Sequence, residues 1–146
     1  MYQSLLLPTD GSEAAERGVR EGLQLAKALG ARVALLYALE PLGPRLLLGP
    51  ETLPYYQALL EDLRKEGLAA LDRATRLAEE LGVAFEAHLL EGRAAETILR
   101  EAEKHDLVVM ASHGRTGLDA ALLGSVTLEV VRRSSKPVLV VPYRRA

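Results

Sequence analysis

The sequence contains no cysteine. Disulfides, thiol catalysis and Cys-ligated zinc are therefore excluded. Tryptophan is also absent and aromatic residues make up only 4%, so there is no platform on which nucleic-acid bases could stack. Excess positive charge is missing too. The 18 Lys and Arg are outnumbered by 20 Asp and Glu, for a net charge of −2. That balance argues against a DNA or RNA coat protein, which needs bulk positive charge to neutralise phosphates. No apolar run approaches the roughly 20 residues that cross a bilayer. No basic region precedes the short Leu5-Leu6-Leu7 run, so the N-terminus does not read as a signal peptide. The expectation is a cytoplasmic protein with no membrane and no nucleic-acid partner. Asn is absent and Arg far outnumbers Lys. Loss of thermolabile amides fits a thermophilic source, and a GC-rich genome gives the same bias.

What is present suffices for one domain over residues 1–146. Hydrophobic residues make up 49% and charged residues 26%, ordinary values for a globular fold. A chain of this length buries roughly two-thirds of its unfolded surface.

Short apolar runs alternate with long amphipathic stretches. Ser4–Leu7 predicts a first strand, closed by Pro8. Ser12 is a good N-cap for a helix running to about Leu29, with Glu13 and Glu16 at its positive end. Ala15, Val19, Leu23 and Ala26 share one face of it, and Gly30 ends it. Val33–Leu39 is a second strand. Glu40–Pro54, with four prolines, is a long irregular connection. A second helix runs from about Tyr55 to Leu81, where Tyr55 and Tyr56 read as packing residues. Val83–Leu90 alternates as a half-exposed edge strand. A short helix Ala94–Lys104 follows, then a fully apolar strand Leu107–Ala111. Leu118–Ser134 is partly helical and broken near Gly124, and Val138–Val141 is the fifth strand. Strands alternating with helices predict an α/β fold: a five-stranded parallel sheet in a Rossmann-like three-layer sandwich.

In such sheets ligands bind beyond the carboxyl ends of the strands, where the strand order reverses. Two loops at that end carry suitable chemistry. Pro8-Thr9-Asp10-Gly11-Ser12 follows the first strand. Ala111-Ser112-His113-Gly114-Arg115-Thr116-Gly117 follows the fourth, where glycines let a backbone approach an anion. Gly124-Ser125-Val126-Thr127 then opens a helical segment, and a helix N-terminus is a natural phosphate site.

Those three segments, with Leu7 before the first and Leu123 before the third, together resemble the universal stress protein family. The terminal Lys136-Pro137-Val138-Leu139-Val140-Val141 fits as well. The resemblance covers the chain apart from Glu40–Pro54. The nucleotide-binding branch of that family carries a G-x2-G-x9-G-[S/T] pattern. Gly114, nine residues, then Gly124-Ser125 match it, while Ala111 stands at the first glycine. That extra methyl either crowds the ligand or is harmless, if the backbone angles there are ordinary.

The resemblance implies a sheet order of 3-2-1-4-5, ATP as ligand, and Mg or Mn accompanying its phosphates. It implies that Pro8, Thr9 and Asp10 lie beside the adenosine, with Asp10 on the ribose hydroxyls. Ala38, Met110 and Ala111 would line the base pocket. Gly114, Gly124, Ser125, Val126 and Thr127 would bind the phosphates. Arg115 either touches a phosphate or reaches solvent, and without the resemblance Asp10 reads equally as a turn or cap residue. The resemblance also points to a homodimer through the Val138–Val141 edge, unless a helix or the tail Tyr143–Ala146 covers it.

Other chemistries fit less well. Ser112 and His113 are neighbours on one loop without a nucleophile elbow, so a hydrolase triad is rejected. No general base is placed for a γ-phosphate, so the expectation is binding with at most slow ATP hydrolysis. A nucleotide-free stress protein acting through protein contacts is the alternative. A receiver domain is rejected because Lys136-Pro137 precedes the last strand and no acidic residue follows strand three to accept a phosphoryl group. A Walker A sequence is absent. His88 and His105 read as ordinary surface histidines, with no metal-ligand spacing.

Overall fold

The structure, a computed structural model, describes residues 1–41, 49–114 and 123–143. Five strands, β1 (Ser4–Pro8), β2 (Arg32–Leu39), β3 (Phe85–Glu91), β4 (Leu107–Ala111) and β5 (Val138–Val141), form one sheet in the order β3-β2-β1-β4-β5. All four pairings are parallel, as in Leu6↔Ala34 and Leu6↔Val108. The helices are α1 (Glu13–Leu29), α2 (Leu53–Leu81), α3 (Ala94–Ala102) and α4 (Ser125–Arg133).

Side chains alternate across the pleat, so each strand feeds two cores. Leu5, Leu7, Val33, Leu35, Val109 and Val141 pack against α1 and α2 through Val19, Leu23, Ala26, Leu71, Ala74 and Ala78. Leu6, Ala34, Leu36, Val108 and Met110 pack on the other face against Ala95, Ile98 and Ala102 of α3 and Val130 of α4. Burial on both faces is why β1, β2 and β4 read as continuous apolar runs. The expected α/β three-layer architecture and strand order are those observed.

Several boundaries differ from the sequence expectation, each for a local reason. β3 begins at Phe85 rather than Val83. Gly82 is left-handed at φ 70, and Val83 still donates to Ala78 O of α2 at 3.0 Å, so these residues finish the helix. α2 begins at Leu53 because Pro54 falls in its first turn, where a missing N–H costs nothing. α3 ends at Ala102. Lys104 and His105 then donate to Glu101 O and Ala102 O in a tight turn. α4 starts directly after Gly124, and the expected helical character of 118–122 lies outside the described residues. The central part of the Glu40–Pro54 connection, 42–48, does so as well. Its end, Pro50–Thr52, is a 3-10 turn.

α2 is longer than the sheet is deep. Its 29 residues span about 43 Å, whereas the eight residues of β2 span about 26 Å. All its fully buried residues lie from Gly67 onward. The first half therefore overhangs the carboxyl edge of the sheet. Tyr55 is 80% exposed as a result, which corrects its reading as a packing residue, while Tyr56 is half-buried.

His105 is also corrected. It is buried, with Nδ1 2.5 Å from Ser4 Oγ. The tight turn after α3 folds it under the amino end of the sheet. There Asp106 accepts the N–H groups of Gln3 and Ser4 at 2.8 and 3.1 Å. Burial pushes the His105 imidazole below its ordinary range, against the opposing pull of Glu86. His88 is half-buried on β3, 3.6 Å from Glu86.

Candidate functional site

The strand order reverses between β1 and β4, and a cavity of about 550 Å³ opens at their carboxyl ends. Its volume lies within the range of small-molecule sites. Pro8, Thr9, Asp10, Ala38, Met110, Ala111, Gly114, Gly124, Ser125, Val126 and Thr127 all line it. These are the residues singled out from sequence, except Arg115, which lies outside the described residues.

The β1–α1 loop holds Asp10 rigidly. Thr9 is buried and donates its N–H to Leu36 O at 2.8 Å. Its hydroxyl accepts from Gly11 N at 3.1 Å, and Gly11 turns the chain at φ 82. Asp10 Oδ1 accepts from Ser12 N at 2.9 Å. Ser12 in turn caps α1 through Ala15 N at 3.1 Å. Arg73 of α2 pairs with Glu16 at 2.6 Å and reaches Gly11 O, bracing the loop from outside.

On the other side, α4 begins at the cavity wall. Gly124 N donates to Ser112 O at 2.8 Å. The N-cap residue of α4, Gly124, makes no side-chain cap. The helix's first-turn N–H groups lack intrahelical acceptors, an arrangement able to receive an anion. The Thr127 hydroxyl donates to Ala111 O at 2.8 Å, fixing α4 to the end of β4. Its proton is therefore committed to the strand.

Ala111 is an ordinary strand residue paired with Val141. Among the described residues no non-glycine adopts a positive φ, so its methyl strains no backbone. Ser112 and His113 are both buried, with Ser112 Oγ 3.2 Å from His113 Nδ1. Ser112 Oγ also accepts from Tyr143 N at 3.2 Å, and the Tyr143 ring meets His113 edge-on at 5.8 Å. Tyr143 Oη reaches Glu13 at 2.6 Å. The pair thus ties the β4 loop to the segment after β5.

The remaining wall was not anticipated from sequence. Tyr37, Leu39, Glu40, Pro41, Leu63, Ala94 and Ile98 also line the cavity. Leu39, Glu40 and Pro41 sit where β2 leaves the sheet, a position that strand topology alone makes a site candidate. Leu63 arrives on the α2 overhang, which only the excess helix length signals. The cavity is therefore two-sided: apolar along β2, α2 and α3, polar where Asp10 faces the α4 terminus. Among the described residues no group of three or more His, Asp or Glu could hold a metal ion. No helix among them is long and apolar enough to cross a membrane.

Comparison with known proteins agrees with this architecture. The model of the universal stress protein family matches residues 1–142. Universal stress protein MJ0531 of Methanocaldococcus jannaschii is 36% identical over 143 residues, covering 97% of this chain and 82% of that one. The solved structure of MJ0577, also from Methanocaldococcus jannaschii, superposes with a TM-score of 0.80 at 31% identity, covering 100% of this chain and 99% of that one. A universal stress protein solved in complex with cAMP superposes with a TM-score of 0.67 at 28% identity, covering 97% of each chain. The chain belongs to the universal stress protein family.

Proposed function

We propose that this protein is a regulatory module that binds an adenine nucleotide, ATP, in the crevice beyond β1 and β4. One observation carries the reading: an anchored carboxylate, a helix N-terminus with glycine as its cap residue and an apolar wall meet in one cavity of about 550 Å³. The cAMP complex of a relative supports it. In this reading the base lies against Ala38, Met110 and Ala111, and the ribose hydroxyls donate to Asp10. The phosphates sit against Gly114 and Gly124 and at the N–H groups of Ser125, Val126 and Thr127, the Gly124 N–H being held by Ser112 O. Mg²⁺ or Mn²⁺ arrives with the phosphates. The module binds rather than turns over its ligand, with at most slow hydrolysis, and works in the cytoplasm.

The same reading includes a homodimer. Among the described residues β5 pairs only with β4, and its Leu139 is 44% exposed. Leu128 and Val131 of the neighbouring α4 are 43% and 41% exposed. An unpaired apolar edge invites aggregation unless it is covered. Antiparallel pairing with the same strand of a second copy covers it and closes the assembly by two-fold symmetry.

A simple measurement tests the nucleotide reading. With five Tyr and no Trp, the protein absorbs weakly near 280 nm. Protein purified with its ligand shows excess absorbance near 260 nm, and denaturation releases that excess as free adenine nucleotide. Material that lacks the excess and does not bind added ATP is instead a nucleotide-free stress protein.

A further inference from the structure

Ala111, His113 and Gly114 line the cavity, and Ser112, in the middle of that run, does not. Ser112 is nevertheless buried, and each of its polar groups is bonded. Its N–H donates to Val141 O at the end of β5 at 2.9 Å. Its carbonyl accepts from Gly124 N at the start of α4 at 2.8 Å. Its hydroxyl oxygen accepts from Tyr143 N at 3.2 Å and stands 3.2 Å from His113 Nδ1. One residue therefore joins the loop after β4 to the segment after β5 and to the N-terminus of α4.

The direction of the bond to His113 follows by elimination. A hydroxyl carries one proton to donate. Of the two groups bonded to it among the described residues, Tyr143 N is a donor, so His113 Nδ1 is the acceptor. The imidazole proton then lies on Nε2. The buried His113 ring is held between this bond and the edge of the Tyr143 ring. His113 is also what α4 rests on. A Cβ at Gly124 would lie 3.1 Å from His113 Cα and 3.2 Å from His113 Cβ. The N-terminus of α4 thus has a seat made of two residues, the Ser112 carbonyl and the base of the His113 side chain. The Ser112 hydroxyl locks both to the end of the sheet.

We propose that Ser112 is a positioning residue for the phosphates: without touching the ligand, its hydroxyl fixes the seat on which the N-terminus of α4 stands. This inference rests on the nucleotide reading above. Removing the hydroxyl takes a partner from the Tyr143 N–H and from the buried His113 Nδ1. Buried polar groups do not stay unpaired, so the loop rearranges or admits water to satisfy them. The seat shifts with it. Donors displaced from an anion lose it steeply, because their bonds are short and directional. Thr9 and Asp10 have separate anchors in Leu36 O and Ser12 N, so the sugar end stays in place.

The test compares ATP, which carries phosphates, with adenosine, which has none. ATP with Mg²⁺ is titrated by calorimetry and adenosine by chemical shift, which reaches weak binding. Wild type and Ser112→Ala are measured, with circular dichroism to confirm the fold. Ser112→Ala is expected to bind ATP about tenfold more weakly and adenosine as wild type does. A nitrogen-15 spectrum above the imidazole range is expected to show the His113 proton on Nε2 in wild type and shared between both ring nitrogens in Ser112→Ala. Should Ser112→Ala fail to fold, Tyr143→Pro removes the N–H that the hydroxyl accepts, at a residue outside both cores. It is expected to weaken ATP in the same sense. A folded variant that keeps the wild-type ratio of ATP to adenosine affinity, or a wild-type His113 protonated at Nδ1, overturns the role of Ser112 and leaves the nucleotide site standing. Wild type that binds neither ligand overturns both readings together.

Discussion

Gly114 has no side chain where Asp10 places a carboxylate oxygen. A Cβ built on Gly114 would collide with Asp10 Oδ2. The carboxylate cannot simply swing aside, because Oδ1 is bonded to Ser12 N at 2.9 Å. Glycine is needed here for close approach, and the two loops at the switch point are fitted to each other through this contact.

The first prediction follows from that contact. Gly114→Ala pushes the Asp10 carboxylate off its Ser12 anchor while leaving both cores untouched. ATP affinity is expected to fall about tenfold, or about 1.4 kcal/mol, with the thermal midpoint nearly unchanged. Calorimetry and a melting curve on the same preparation check both halves. A variant that binds ATP like wild type would separate Gly114 from the ligand.

Gly124 acts differently. Its φ of −64 is available to any residue, so backbone freedom is not the reason for glycine. A Cβ there would lie 3.1 Å from His113 Cα and 3.2 Å from His113 Cβ. Valine would therefore press on the β4 loop rather than directly on a phosphate, and would lever the α4 terminus away from Ser112 O. Gly124→Val should lower ATP affinity by about tenfold or more in a folded protein. Ala111→Gly, which only removes a methyl from an unstrained strand, should leave affinity equal or higher. A clear loss in Ala111→Gly contradicts the account of that residue.

The buried His105 sets a pH dependence. Its folded-state value lies below the ordinary 6.5, chiefly through burial. Glu86 and Glu101 pull it upward, while Arg32 and Lys104 push it down. Between the folded value and 6.5 the unfolded chain binds the extra proton, so stability rises with pH there. The stabilisation is complete above 6.5 and is lost as pH falls through the folded value. Asp106 and Glu96 are held below the usual carboxylate range, by the Gln3 N–H and by Arg133 respectively. Their contribution is lost at lower pH still. Urea midpoints measured from pH 7 to about 5 should fall in wild type and flatten in His105→Gln, which keeps a partner for Ser4 without titrating. Equal slopes in the two proteins count against this assignment.

For the edge strand, Val140→Lys places a charge in the pairing edge of β5 and should shift a dimer to monomer in sedimentation equilibrium. Val140 is half-buried whereas Leu139 is exposed, so Leu139→Lys tests the same surface with less disturbance of the core. A parent already monomeric at micromolar concentration, or variants that remain dimeric, would remove β5 as the interface.

Much of this architecture was legible in the residues. β1, β2 and β4 announce themselves because burial on both faces forces unbroken apolar runs such as Leu107-Val108-Val109-Met110. Asp10, Gly114 and Gly124 were legible as cavity-lining residues because they lie in loops that follow strands beside the switch point. Elements set by length and distant contact were not. Nothing near Leu63 says that α2 outruns the sheet and brings it to the cavity. Glu40 looks like one more charge at the head of a loop until α3 places Ala94 N against it. His105 follows a charged helix end and looks exposed in sequence, yet the turn at Glu101–His105 buries it beside Ser4, a hundred residues away in the chain.

The central claim is that the crevice between β1 and β4 holds ATP through Asp10. Calorimetric titration of ATP with Mg²⁺ into nucleotide-stripped protein, with Asp10→Ala alongside, tests it most directly. The expected result is saturable binding at one site per chain in wild type, weakened about tenfold or more in a folded Asp10→Ala. No binding heat in wild type, or the same affinity in both proteins, would contradict the account.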